Sequence, residues 1–298
     1  MKNFCSITLL AFAILALATK DAEAQRFTNK KTYNSVGVHL NAMNYFGDIV
    51  PQSDFTSERF KSTRPNLGIS FSRRFSPRFG ARAAFAWGRI TGDDLKSASP
   101  NESENLPRYQ RNLRFRNDIK ELSAVLTVDL FENRGNYLKR PDFSPYAFAG
   151  VAVFAHNPKA EDANGTLVEL QPLGTEGQLS PNAAANGYPD TYSKVQISIP
   201  FGAGVRYKLD RNWDLGFEIG WRKTFTDYLD DVSSNYVKDP LVDIPTEKGR
   251  EMANRSGGNP SHGNGQQRGD KTDKDWYIVA GFNLTYILPT NVKSPKFR

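Results

Sequence analysis

The stretch VQISIPFGAGVRYKLDRNWDLGFEIGWR, residues 195–222, holds two alternating runs joined by Asp210, Arg211 and Asn212. Val195, Ile197, Ile199, Phe201, Ala203, Val205, Tyr207 and Leu209 share one face, and Gln196, Ser198, Pro200, Gly202, Gly204, Arg206 and Lys208 share the other. After the turn, Leu215, Phe217, Ile219 and Trp221 alternate with Gly216, Glu218, Gly220 and Arg222. A period of two marks strands with one apolar face. A three-residue turn pairs Leu209 with Trp213, which sets Phe201 opposite Trp221, Val205 opposite Phe217 and Lys208 opposite Asp214. A two-residue loop slips the register by one and sets apolar residues against the small, charged face. Arg206 then lies opposite Gly216 and diagonal to Glu218.

The same alternation recurs along the chain. It appears around Val36–Ala42, Leu67–Phe71, Ala81–Trp87, Leu122–Leu130 and Ile278–Leu284. Tyr146–Phe154 is apolar on both faces and has no evident orientation. That makes about eight strands. Phe75 pairs with Phe79 around Ser76, Pro77 and Arg78, which aligns Leu67 with Trp87 and Ile69 with Phe85. Strands of about ten residues reach across a bilayer at a tilt. The other face carries Gly, Ser and charges in nearly every strand, as the interior of a small barrel does. The expected fold is an all-β, antiparallel transmembrane β-barrel of about eight strands. A soluble β-sandwich also alternates, so the distinguishing test is whether Arg82, Glu121, Asp129, Arg206, Glu218 and Arg222 converge. In an eight-stranded barrel they would form a paired interior network, since unpaired charges there are strongly destabilising. The competing reading is a conducting or catalytic lumen.

The mean hydropathy of -0.56 suits such a barrel, because alternation keeps strand averages low. Residues 1–24 read as a cleaved signal peptide: Lys2, an apolar run from Ile7 to Ala18, and Ala22-Glu23-Ala24 as cleavage site. Residues 25–298 form the barrel domain. Cys5 precedes the apolar run, which argues against lipidation, and cleavage removes the only cysteine. Disulfides then contribute nothing to the exported chain.

Connections near 73–78, 132–142 and 210–212 are short, while 47–64, 89–118, 156–194 and 223–275 are long. Outer-membrane barrels keep short turns in the periplasm and long loops outside. Both termini then lie in the periplasm. The chain's net charge of +7 concentrates on that side. Arg73, Arg74, Arg78, Lys139, Arg140, Lys293 and Lys296 make a basic rim for anionic phospholipid or an acidic periplasmic partner. Nucleic acid is not an expected partner. Phe75, Phe79, Tyr207, Trp213 and Tyr286 fall at strand ends, where an aromatic girdle belongs.

Chemistry-bearing motifs are few, and no cofactor is expected. His39, His156 and His262 share no metal-ligand spacing. Gly202-Ala203-Gly204 sits inside a strand with no following helix, so it reads as small inward-facing residues. Asp227, Asp230 and Asp231 match no calcium loop and are expected to be solvated or paired with Arg222 and Lys223. The glycine-rich fourth long loop is expected to be mobile, and its Arg268-Gly269-Asp270 matches an adhesion tripeptide. His156 at a strand end keeps a lipid-modifying barrel enzyme open as a reading.

Several strings point to a family. They are Asn44–Asp48 (NYFGD), Gly88–Asp94 (GRITGDD), Arg111–Asp118 (RNLRFRND), Phe143–Tyr146 (FSPY), His156–Ala160 (HNPKA), Leu170–Gln178 (LQPLGTEGQ) and Arg222–Ser233 (RKTFTDYLDDVS). Together they resemble the PorG-like outer-membrane proteins of the type IX secretion system, across nearly all of the chain after the signal peptide. The resemblance implies a non-enzymatic accessory or anchoring barrel beside the periplasmic ring, which is built from a lipoprotein and its partner. It assigns no functional residues. The alternative is an OmpA/OmpX-like structural or adhesive surface barrel. The basic tail beyond Pro289 is expected to be a periplasmic contact.

Overall fold

Each alternating run folds as a strand. The computed structural model describes residues 32–49, 62–98, 100–101, 103, 105–259 and 262–289. Residues 1–24, expected to be a signal peptide, and Lys293 and Lys296 lie outside the described residues. The strands are β1 (Tyr33–Phe46), β2 (Arg64–Arg74), β3 (Phe79–Asp93), β4 (Arg114–Asp129), β5 (Phe143–Ala155), β6 (Pro158–Glu161), β7 (Leu167–Glu169), β8 (Val195–Lys208), β9 (Trp213–Thr224) and β10 (Trp276–Ile287). β6 and β7 form a small hairpin hung on β4. The other eight pair antiparallel in sequence order, except that β5 meets β8 past the hairpin. β1 pairs with β10 from Ser35↔Ile287 to Phe46↔Trp276 and closes the barrel. Closure leaves none of the eight barrel strands with an open edge, as a bilayer requires.

Turn parity places the register correctly. Phe201 faces Trp221, Val205 faces Phe217 and Lys208 faces Asp214. Leu67 faces Trp87 and Ile69 faces Phe85. Val38, Leu40, Ile69, Leu122, Val151 and Ile197 are each more than half exposed on the outer wall. Soluble monomers rarely expose a continuous apolar surface of this extent, and here it is the lipid-facing belt of a membrane barrel.

The structure orients β5. Tyr146, Phe148, Ala152 and Phe154 are buried inside, while Val151 and Val153 face out. The inner rings need space, and glycines opposite supply it: Phe148 pairs with Gly202 and Tyr146 with Gly204. A Cβ at Gly202 would lie 2.8 Å from Phe148 Cζ and 2.2 Å from the Ile219 carbonyl oxygen. Gly202→Leu is therefore expected to prevent most chains from refolding into detergent micelles, read as β-sheet circular dichroism. Ala203→Leu, one residue on and facing lipid, should refold like the parent. Equal refolding of the two variants would contradict this packing.

β3 and β4 run to 15 and 16 residues, well past the ~9–11 that cross a bilayer. At the long-connection end their inner faces turn apolar. Met43, Tyr45, Ile90, Phe115, Ile119 and Tyr277 pack around Leu229 and Val232 from the fourth long connection. That connection, expected to be mobile, contributes a folded cap, with α-helices over Pro240–Asp243 and Glu247–Ala253. Met252 of the second helix buries against Ala160 and Leu170 beside the hairpin. Both ends of the barrel, Tyr33 and Ile287, lie opposite the cap, beside the short turns.

Candidate functional site

The six predicted interior charges meet inside the barrel. Arg82 grips Glu218 with both guanidinium nitrogens, one pair at 2.8 Å, and the Tyr146 hydroxyl donates to the same carboxylate. Arg206 reaches Asp129 at 2.5 Å and stacks over the Tyr146 ring at 4.2 Å. Arg222 lies 3.4 Å from Glu121, which also accepts from the Tyr277 hydroxyl at 2.6 Å. The pairing differs from the diagonal read from sequence: Arg82 crosses the lumen from β3 to take Glu218, and Arg206 reaches past β5 to Asp129 on the same wall. Two cavities of about 60 and 50 Å³ remain along the axis. At ~30 Å³ per water in the liquid, they hold a few waters and no peptide.

The rim facing the short turns is less basic than the sequence suggests. Arg74 turns inward and shares Asp129 with Arg206. Arg140 is buried as well, 2.7 Å from Asp214, and donates to the carbonyls of Tyr137, Asp210, Arg211 and Trp213. It clamps two short turns together, because a planar five-donor head satisfies several carbonyls at once. Arg73, Arg78 and Lys139 stay exposed. Arg78 sits 3.6 Å from Glu132, which Arg134 also approaches at 2.8 Å.

The densest polar chemistry lies in the cap. Arg268 pairs with Glu176 at 2.7 Å and donates to the Asp231 carbonyl at 2.6 Å. Arg111 pairs with Asp94 at 2.8 Å and donates to the carbonyls of Arg268 and Asp48. Asp231 also accepts from Thr175 and Tyr192, and Asp227 accepts from Ser233 at 2.6 Å. The Tyr45 hydroxyl lies 2.7 Å from both Asp230 and Asp275. One hydroxyl proton cannot serve two carboxylates, so one of these carboxyls is protonated and donates back. Burial, with the neighbouring carboxylates, holds both acids well above the usual range.

One sequence expectation fails here, and one short motif match proves to be incidental. Asp227, Asp230 and Asp231 are neither solvated nor paired with Arg222 and Lys223; all three are buried in the cap. The adhesion tripeptide is not displayed either, since Arg268 is only 3% exposed and spent on Glu176. Both outcomes share a cause: loops distant in sequence supply the partners, which no local pattern reveals. Tyr45, Asp94, Arg111, Glu176 and Asp231 each fall within a quoted string, so the strings mark cap architecture.

Burial pushes Asp227 up to about 7, and pushes Asp231 and Asp48 to about 6 against the pull of Arg268 and Arg111. A raised folded-state pKa means that the folded cap retains protons the unfolded chain releases. This stabilisation is full below about pH 4 and is lost as pH rises through about 7. Protease cleavage within 225–275 should therefore be faster at about pH 8 than at about pH 5, after correction for protease activity, and Asp227→Asn should flatten the difference. A wild-type cap equally resistant at both values would contradict the assignment.

His156 is enclosed. Its ring stacks on Tyr192 at 6.0 Å, Nε2 lies 3.1 Å from the Ser193 carbonyl, and Asn117 contacts Nδ1 at 3.4 Å. Burial lowers it to about 4, so the ring is neutral. Ser193 Oγ donates instead to the Val195 carbonyl, so this strand end carries no His–Ser pair. Among the described residues no group of three or more His, Cys, Asp or Glu side chains is arranged to hold a metal.

Solved structures similar to this chain include OprG of Pseudomonas aeruginosa, an outer membrane protein (9% identity, 89% of this chain and 99% of that chain, TM-score 0.41). The attachment invasion locus protein Ail of Yersinia pestis shows 10% identity over 87% of this chain and 99% of that one, with TM-score 0.39. Outer Membrane Protein W of E. coli shows 12% identity over 88% and 100%, with TM-score 0.36. No curated protein matches the chain. Residues 10–169, just over half of the sequence and reaching from before β1 through β7, match the family described as "Domain of unknown function (DUF6089)". The chain is a member of the DUF6089 family.

Proposed function

We propose that this protein is a non-enzymatic, non-conducting barrel of the bacterial outer membrane that holds a folded cap at the cell surface. The observation that carries this reading is the lumen, filled by Arg82, Arg206 and Arg222 with their carboxylates and left with cavities of about 60 and 50 Å³. Short turns and both barrel ends then face the periplasm, following the habit of such barrels. The cap is held by buried ion pairs and presents a fixed surface, which suits a structural or docking role. Planar bilayers holding the purified protein should show no stepwise conductance. Steady openings of porin size would overturn the reading.

The resemblance to PorG-like proteins supports a more specific version, in which the barrel is an accessory of type IX secretion anchored beside the periplasmic ring lipoprotein and its partner. Arg73, Arg78 and Lys139, exposed beside the short turns, are the contacts this version uses. Reversing all three to Glu should reduce co-purification with the ring proteins and slow secretion. Unchanged co-purification and secretion would leave the free-standing surface barrel as the function.

A further inference from the structure

We propose that the outer wall over β2, β3 and β4 is a lipid site that takes a phosphate-bearing headgroup on the cap side of the belt. Two openings lie one above the other on these strands. The upper is a cleft of about 270 Å³ lined by six basic residues and two acidic ones, Asp93 and Glu161. The lower is a groove of about 590 Å³ with an almost wholly apolar wall, which takes in Ile69, Phe85 and Leu122 here and continues over β1, β10 and β9 to Val38, Leu284 and Trp213. Outward-facing residues of β3 run from Ala83 and Phe85 in the groove, past Trp87, to Arg89 and Thr91 in the cleft. Phe85 and Arg89 are four residues apart, about 13 Å along the strand. That is the step from acyl chain to headgroup.

The charges in the cleft are incompletely answered. Asp118 is shared by Arg89 and Arg116. Arg114 and Arg255 both turn to the Glu161 carbonyl, and the buried Nε of Arg114 has no hydrogen-bond partner. Lys96 and Lys159 each have a carboxylate of their own, whereas Arg89 and Arg116 share one and Arg114 meets only a carbonyl, so the arginines carry the surplus charge. Guanidinium groups suit phosphate oxygens, which they bind through paired N–H donors. A soluble anion would use the cleft alone. A lipid uses both openings, and the groove is continuous with the belt that faces lipid in any case.

The full-length protein, reconstituted in phosphatidylcholine nanodiscs doped with lipid A, should retain lipid A through repurification into detergent. The triple variant Arg89→Gln/Arg114→Gln/Arg116→Gln should retain roughly tenfold less, about 1.4 kcal/mol. Ala83→Trp, which fills the groove without altering charge, should also lower retention. Lys223→Gln, exposed on the outer face of β9 on the far wall, should leave it unchanged, and β-sheet circular dichroism verifies folding of each variant. Retention unaffected by the triple variant, or lowered equally by the far-wall variant, would overturn the proposal. Displacement of lipid A by millimolar inorganic phosphate would also overturn it, by making the cleft a soluble-anion site. Phosphatidylglycerol retained as well as lipid A supports a general phosphate headgroup.

Discussion

Arg268→Ala should open the cap and leave the barrel standing. Arg268 is buried, pairs with Glu176, and donates to the Asp231 carbonyl. Glu176 has other donors, from the Ser233 and Ser234 amides and the Ser234 hydroxyl. None of them carries a charge. Removing the guanidinium leaves Glu176 and Asp231 as buried carboxylates near Asp48 and Asp227. Breaking one side of a buried pair costs roughly 3–5 kcal/mol, a large part of what a small folded unit has to lose. Limited proteolysis should cut within 225–275 many times faster than in the parent, while a membrane-embedded fragment keeps its β-sheet signal. Arg268→Lys, with its charge but without the fork, should fall between. A cap as resistant as the parent's would show that its apolar core alone holds it.

Glu218→Ala should lower the guanidinium unfolding midpoint of the barrel more than any substitution on the lipid-facing wall. Glu218 meets Arg82, the Tyr146 hydroxyl and, at 3.3 Å, Asn283. Its loss strands Arg82 inside the lumen, again a cost of roughly 3–5 kcal/mol. The diagnostic result is the double variant. Arg82→Ala/Glu218→Ala removes both charges and should cost clearly less than the two single changes added together. Additive costs would mean that the pair contributes no coupling.

The barrel was readable because two faces of different solvent repeat every second residue. Turn parity then fixed register without any tertiary information, as at Leu209 and Trp213. The interior was readable in membership and less so in pairing. Arg206 and Glu218 are neighbours on paired strands, yet Glu218 pairs with Arg82 from the far wall and Arg206 with Asp129 two strands away. Tyr146–Phe154 was opaque for a related reason. Its aromatics point inward only because Gly202 and Gly204 on another strand leave room. The cap was hidden altogether. Its apolar contacts, such as Ile90 with Leu229, join segments with no common period, and its charges look like solvated loop charges until the loops are brought together. Arg74 and Arg140 misled in the same way, since a rim arginine reads identically whether it points to water or back into the barrel.

The cap network draws on each of the four long connections. Asp48 belongs to the first, Asp94 and Arg111 to the second, Glu176 to the third, and Asp231 and Arg268 to the fourth. Asp275, beside Tyr45, immediately precedes the last strand. The contacts between the first and last connections, Tyr45 with Asp230 and Asp275 and Asp48 with the Asp270 amide, span the seam where β10 docks against β1. Closing the seam and completing the cap are therefore coupled. A barrel stalled before its seam forms would expose uncapped, protease-sensitive loops, so the cap distinguishes finished molecules from unfinished ones.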